Sequence, residues 1–175
     1  LSQVHENIEL VICDNNSSDN TVEICQSFAS KDPRITIVQN QSDIGVQNNF
    51  VKTLSLSNGD FFMFAADDDY WDENFISVLL QSLHDNPQFG VAMCSIARIK
   101  ENGEQLPPIT FKKYDNPNSM SSLKQSLSTF SNKKYNIFIY GLFRMNLIKK
   151  NIRFFFPTIS PDRWFISFFA LTSRI

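Results

Sequence analysis

Six carboxylates and no basic side chain lie between Asp60 and Glu73, and three of them, Asp67, Asp68 and Asp69, are consecutive. They follow the apolar stretch FFMFAA directly. Carboxylates this close repel one another, and at the tip of a buried strand they are costly without a cation to share. An all-oxygen donor set suits Mg²⁺ or Mn²⁺, which divide their coordination between carboxylates and substrate phosphates. An acidic helix start, favoured by the helix dipole, accounts for Asp72 and Glu73 but poorly for the triple aspartate. The cluster reads as a metal site.

Asp14 is the second candidate. It ends the apolar run Ile8–Cys13 and is followed by Asn-Asn-Ser-Ser-Asp-Asn-Thr. A carboxylate there can accept hydrogen bonds from a nucleobase or ribose, and the same cluster equally supplies caps for a following helix, with Glu23 placed to assist. A second aspartate cluster two strands later, on the same sheet edge, favours the ligand reading. Ligands of open α/β sheets sit outside the carboxyl ends of the strands.

The elements that must position these groups follow from the hydrophobic pattern. Ile8–Cys13, Arg34–Val38 and Phe61–Ala65 are short apolar runs of the kind buried in parallel sheets. Between them, helices are predicted to about Ser30, with Val22, Cys25 and Ala29 as the apolar stripe and Ile24 and Phe28 beside it. A second runs from Val46 to Ser57, burying Phe50, Val51 and Leu54 and ended by Asn58-Gly59. A third, opened by Asp72 and Glu73, carries the stripe Phe75, Val78, Leu79 and Leu83. Alternation of this kind calls for an open, mostly parallel sheet flanked by helices.

After Pro87 the pattern changes. Val91–Lys100 is predicted as a strand, Glu101–Glu104 as a turn and Ile109–Lys112 as the return of a hairpin. Asp115–Asn118 reads as a loop, Ser121–Phe130 as a helix and Ile137–Met145 as a strand. Ser160-Pro161-Asp162 opens a last helix to about Thr172. A single α/β domain over residues 1–175 is expected, with a nucleotide-binding first half (1–88) and a mixed second half (89–175). The start at Leu1, within what reads as the polar end of a helix, and the stop at Ile175 suggest part of a longer chain.

Residues 1–97 carry 14 acidic and 3 basic side chains, and residues 98–175 carry 4 and 13, so balances of −11 and +9 leave the net charge of −2. Either these are solvated faces, or an acidic half holds a cation while a basic half meets phosphate or an anionic membrane. Cys13, Cys25 and Cys94 show no metal-binding spacing and suit a reducing compartment. The longest apolar run, Ile137–Phe143, is far short of the roughly 20 residues of a spanning helix.

The stretches ELVICDNNSSDNT, RITIVQNQSDIGVQNNF and GDFFMFAADDDYW together resemble the family 2 glycosyltransferases of the GT-A fold. Those proteins have a strand ending in Asp before a Ser-x-Asp-x-Thr turn, then an Asn-x-Gly turn into a helix. A Gly-Asp/Glu-aromatic strand follows, ending in an Asp-rich motif before an aromatic. The similarity covers roughly residues 1–85 and lacks the family's N-terminal strand. It implies a Rossmann-like GT-A fold with an acceptor-side second half. It also implies an inverting transfer of sugar from a nucleotide-diphosphate sugar to a glycan or lipid-linked acceptor hydroxyl, in cell-surface polysaccharide or glycolipid synthesis. A cytoplasmic enzyme with peripheral contact at the inner membrane face, and no nucleic-acid partner, is expected.

Carried over residue by residue, Asp14 resembles the base-contacting carboxylate and Asp19 the capping Asp of its turn. Asp67 and Asp68 match the motif that meets ribose and diphosphate, and Asp68 and Asp69 the metal ligands. Ala66 stands where many members have the first Asp, which makes Asp68 the expected direct metal contact, with Asp67 or Asp69 supplying the other carboxylate. Asp162, the sole carboxylate from Asn116 to the end, resembles the catalytic base that begins a downstream helix, although the same residue can cap that helix. Arg163 can pair with Asp162 or reach a phosphate. Tyr70 and Trp71 can stack on a sugar or simply pack. The aromatics at 154–156 and 164–169 read as core, or, if exposed, as a surface for lipid-linked acceptors beside Lys149, Lys150 and Arg153. His5 and His84 receive no role.

Two other readings compete. A phosphoryl-transfer protein of the receiver or haloacid-dehalogenase type wants a Lys near its strand-end Asp, but the first half offers only Lys31, Arg34 and Lys52. A non-catalytic relative that binds nucleotide without turning it over is the other.

Overall fold

The structure, a computed structural model, describes residues 2–110, 127, 133–155 and 160–173. Seven strands are described: β1 (Leu10–Asp14), β2 (Ile35–Gln39), β3 (Phe61–Phe62), β4 (Val91–Ala92), β5 (Ile96–Ile99), β6 (Gln105–Ile109) and β7 (Leu142–Arg144). The described α-helices are α1 (Thr21–Ala29), α2 (Val46–Leu56), α3 (Phe75–Asp85), α4 (Met145–Asn151) and α5 (Pro161–Thr172). A 3₁₀ helix spans Lys133–Tyr140 and a shorter one Ile152–Phe154.

β1 and β2 pair in parallel, Leu10 opposite Ile35 through Asp14 opposite Gln39. α1 packs on both strands and α2 on β1. The second sheet has the order β3-β7-β4, with β7 antiparallel to both neighbours, so β3 and β4 run in the same direction. The expected sheet is thus present as separate ladders, with one reversed strand between β3 and β4. β5 and β6 form a hairpin turned at Gly103 with a positive φ of 82°, its return strand at Gln105–Ile109 and not at the expected Ile109–Lys112, whose last two residues lie outside the described ones.

Several boundaries differ from those expected. Residues 2–9 form no helix; Gln3 instead reaches the start of α3, where its Oε1 accepts from Ile76 N–H and its Nε2 donates to the Asp72 carbonyl. Val91–Lys100 breaks into β4 and β5. Ile137–Met145 divides between the 3₁₀ helix, β7 and the start of α4, because a short apolar run fits a buried helix turn as well as a strand. α2 stops at Leu56, with Ser57 extended, and the Asn58 and Gly59 N–H groups donate to the Glu9 carboxylate. The loop at Asp115–Asn118 and the helix at Ser121–Phe130, Leu127 apart, lie outside the described residues.

The main core gathers Leu54, Phe62, Phe64, Phe143, Phe165 and Phe169 with Ile148 and Phe155. Phe50 of α2 lies 4.6 Å from Phe64 and 5.4 Å from Phe155, ring centre to ring centre, and so joins the first half to the second. Burial of Phe155, Phe165 and Phe169 makes those aromatics core, as expected, while Trp164 remains 37% exposed in a stacked row with Phe168 and Phe154. On α1, Val22, Cys25 and Ala29 are half-buried, and Ile24 and Phe28 face solvent. Arg144 fixes the second sheet to α3: Nη2 and Nε donate to the Leu83 and Phe89 carbonyls, at the helix end where the dipole favours a cation.

Gly141, between the 3₁₀ helix and β7, has no room for a side chain. A Cβ there would stand 2.8 Å from both the Ala92 carbonyl oxygen and Val91 Cγ2. Gly141→Ala is therefore expected to destabilise the fold by about 1–3 kcal/mol through forced overpacking, read as a lower denaturation midpoint. An unchanged midpoint would mean that β4 and β7 do not approach this closely.

Candidate active site

Asp14, at the end of β1, is 6% exposed. Its Oδ2 accepts from the Asn16 and Ser17 N–H groups at 3.1 and 3.0 Å, in a turn that sets Asn16 at φ 69°. The Ser17 hydroxyl, working against burial, is the main cause that holds the carboxyl below its ordinary value of 3.8, and the two N–H groups add to it. Asp19 does not cap α1, whose N-cap position is Asn20; its Oδ1 instead accepts from the Thr21 N–H and hydroxyl and closes the turn before the helix.

The turn beside Asp14 is organised by asparagines that sequence patterns left unassigned. Asn40 is 4% exposed, its N–H donates to the Asp14 carbonyl, and its amide donates to Asn15 Oδ1 and Asn49 Oδ1. Lys52 donates to Asn40 Oδ1, and Asn49 to the Cys13 carbonyl. This network ties the ends of β1 and β2 to α2, with Gly45 at φ 81° opening the helix. The sequence signal was the density of Asn around the strand ends, which single-residue capping preferences absorb without revealing the cross-links.

Asp67, Asp68 and Asp69 stand on the turn after β3, all exposed, and no described residue hydrogen-bonds to or ion-pairs with their carboxylates. Among the described residues no group of three His, Cys, Asp or Glu is gathered into a ready-made cage. The donor set nonetheless fits Mg²⁺ or Mn²⁺, which hold to one or two carboxylates and fill their remaining positions with water and phosphate. Asp72 bonds instead to the Asn74 N–H, at the start of α3.

Asp162 lies in the first turn of α5, half-buried, after Ser160 and the helix-opening Pro161. It accepts no hydrogen bond from a described residue, and the expected pairing with Arg163 is absent. Arg163 Nε is buried without a partner.

One residue that sequence patterns did not single out lies among these groups. Tyr140 ends the 3₁₀ helix that packs on α5. Burial first, and then the charges of Asp69, Asp68, Asp162 and Asp67, push its phenol above the ordinary value of 10. The structure therefore brings the triple aspartate and Asp162, nearly 100 residues apart, into one electrostatic neighbourhood. No hydrogen bond or ion pair among the described residues joins Asp14 to that group.

The chain matches the Glycosyl transferase family 2 over residues 1–158 and belongs to that family. It is 29% identical over 85 residues to the glycosyltransferase GlyG of Streptococcus pneumoniae, which is 49% of this chain and 28% of that protein. Against the Escherichia coli UDP-Glc:α-D-GlcNAc-diphosphoundecaprenol β-1,3-glucosyltransferase WfaP, identity is 37% over 71 residues, covering 41% of this chain and 28% of the relative. The Campylobacter jejuni GalNAc(5)-diNAcBac-PP-undecaprenol β-1,3-glucosyltransferase is 25% identical over 138 residues, 78% of this chain and 44% of that one. The crystal structure of Staphylococcus aureus TarS 1–349 superposes with a TM-score of 0.69 at 21% identity, over 98% of this chain and 49% of that one, so the two share the GT-A fold. The matched segments span less than half of each of these proteins.

Because the Asp14 pKa is depressed on folding, its stabilising effect is present above the ordinary value of 3.8 and lost as pH falls through the lower folded value. Asp14→Asn is expected to cost about 1–3 kcal/mol at neutral pH and to flatten the loss of stability below 3.8. Thermal melts across the acid range read both effects; a parallel profile in wild type and variant would show that Asp14 is not held by these donors.

Proposed function

We propose that this chain is the donor-binding and catalytic part of an inverting, metal-dependent glycosyltransferase. The donor is a nucleotide-diphosphate sugar and the acceptor a hydroxyl of a glycan or lipid-linked glycan, in cell-surface polysaccharide or glycolipid synthesis. What supports the reading is the family match over residues 1–158, together with the exposed carboxylates of Asp67, Asp68 and Asp69 and the half-buried Asp162 in the first turn of α5. An inverting displacement needs a leaving-group site and a base on opposite sides of one sugar, and these two carboxylate groups are suited to those ends.

On this reading Asp68 with Asp69 holds a divalent ion, Asp67 and Asp68 face the ribose and diphosphate, and Asp14 faces the base. When bound, the ion supplies positive charge to the departing diphosphate. Asp162 takes the proton of the acceptor hydroxyl as that oxygen attacks the anomeric carbon and the bond to the diphosphate breaks. With no hydrogen bond from a described residue, the carboxylate is suited to that role. Complexes of TarS with UDP and with UDP-GlcNAc favour a uridine nucleotide as the first ligand to try. The undecaprenol-linked acceptors named for the Escherichia coli and Campylobacter jejuni relatives favour a lipid-linked acceptor met at the cytoplasmic membrane face. None of the described helices is long and apolar enough to cross a membrane, and peripheral contact is the arrangement we propose.

Calorimetry of UDP binding with Mn²⁺ tests the metal site. Asp68→Ala is expected to weaken Mn²⁺-dependent binding about tenfold or more, and binding that survives both the substitution and chelation would sink the assignment. Asp162→Asn is expected to lower turnover about 10²–10⁴-fold with UDP affinity intact. A loss of UDP affinity in that variant would make Asp162 a structural cap.

A further inference from the structure

α5 is apolar on more than one side. Phe165, Ile166, Phe169 and Ala170 are buried in the main core. Trp164, Phe168 and Leu171, spaced i, i+4 and i+7, form a second stripe, in which Trp164 and Leu171 are each 37% exposed. A helix whose outer side meets water carries polar residues there, and one that is apolar all round has a second apolar medium to meet. Phe154, from the short 3₁₀ helix, extends this stripe: its ring stacks on Phe168 at 4.5 Å, and Phe168 stacks on Trp164 at 5.9 Å. The row ends in a cation, the exposed Arg153, whose guanidinium lies 4.9 Å from the centre of the Phe154 ring. Lys150, three residues earlier, is exposed as well, and neither it nor Arg153 forms an ion pair with a described residue. Residues 145–172 hold Lys149, Lys150, Arg153 and Arg163 against Asp162 alone.

We propose that the row Trp164–Phe168–Phe154, with Arg153 and Lys150, is the face by which the protein lies on an anionic lipid bilayer. This rests on the reading above, in which a lipid-linked acceptor is met at a membrane, and names the surface that meets it. Charge selects the occupant. A second copy of the chain would bring the same uncompensated cations to the same rings. An anionic headgroup layer neutralises those cations while the rings enter the boundary of the acyl chains. Tryptophan suits that boundary, with a large apolar body and a single polar N–H. Asp162 precedes Trp164 by two residues, about 3 Å along the helix axis. An acceptor anchored at this face therefore lies beside the proposed base.

Co-sedimentation of the full-length protein with vesicles tests this, using phosphatidylcholine alone and phosphatidylcholine mixed with phosphatidylglycerol. Wild type is compared with the double variant Lys150→Gln/Arg153→Gln and with Trp164→Gln. The wild type is expected to prefer the anionic vesicles and to leave them as salt rises. Loss of the two cations is expected to weaken that binding about tenfold or more. Trp164→Gln is expected to weaken it about threefold or more with the salt dependence kept. Melting curves of both variants verify that the fold is intact. No vesicle binding by the wild type, equal binding to the two vesicle types, or variants that bind as the wild type does overturn the proposal. Self-association that depends on Trp164, without vesicle binding, overturns it as well and assigns the row to a second copy. Mn²⁺-dependent UDP binding, measured by calorimetry without vesicles, decides the donor-site reading separately and is expected unchanged in both variants. Its absence from the wild type removes that reading, while the vesicle result still decides the role of this face.

Discussion

The antiparallel seating of β7 between β3 and β4 is the constraint on which the rest of the molecule depends. Three residues, Leu142–Arg144, complete the sheet, and two of them also tie it to the helices. Phe143 is fully buried and meets Phe165 and Phe169 of α5 at 6.0 and 5.1 Å. Arg144 neutralises the carbonyl end of α3 while its guanidinium lies over Phe61. Backbone bonds from Arg144 N–H to the Gly90 carbonyl and from Met145 N–H to the Asp60 carbonyl then fix the strand at both edges. With that strand set, the position of Tyr140 is no longer free, and neither is that of the helix carrying Asp162.

The two candidate regions are built on different physics. Around Asp14 the polar groups are buried and satisfied: two N–H groups reach the carboxylate, and Asn40 alone engages Asn15, Asn49 and Lys52. Such a network is stable only when every member has its partner, and it rigidifies the strand ends it links. Around Asp67–Asp69 the reverse holds, with exposed carboxylates and no donor among the described residues. The contrast separates a carboxylate that the protein itself satisfies from three that are left to solvent.

Much of this was readable from residue order, and the rest was hidden for definable reasons. β1 and its Asp14 terminus, the helix from Val46, and the turn bearing Asp67–Asp69 are local patterns, an apolar run discharging into polar residues. They appear at nearly the positions expected. The interval 137–145 reads as one strand because hydrophobic periodicity does not separate a buried 3₁₀ turn from a strand in so short a run. Asn40, Arg144 and Tyr140 were not legible at all as functional or structural anchors. Each acquires its meaning from partners on other elements: Asn15 and Asn49 for Asn40, Leu83 and Phe89 for Arg144, and the four aspartates for Tyr140.

Charge asymmetry along the chain changes meaning once the partners are known. The basic excess after residue 98 invites a phosphate- or membrane-facing surface, yet most of its described cations are engaged within the fold. Arg98 bonds to the Pro107 carbonyl, Lys100 to Glu104, Arg144 to the end of α3 and Lys149 to the Ser57 carbonyl, while Arg153 lies over Phe154. Arg163 differs, with a buried Nε that no group satisfies, one residue from Asp162. A diphosphate brought to Asp67–Asp69 would otherwise meet four carboxylates around Tyr140. The reading of that cluster as a donor site therefore stands or falls with a divalent ion: without one, the local field repels a diphosphate.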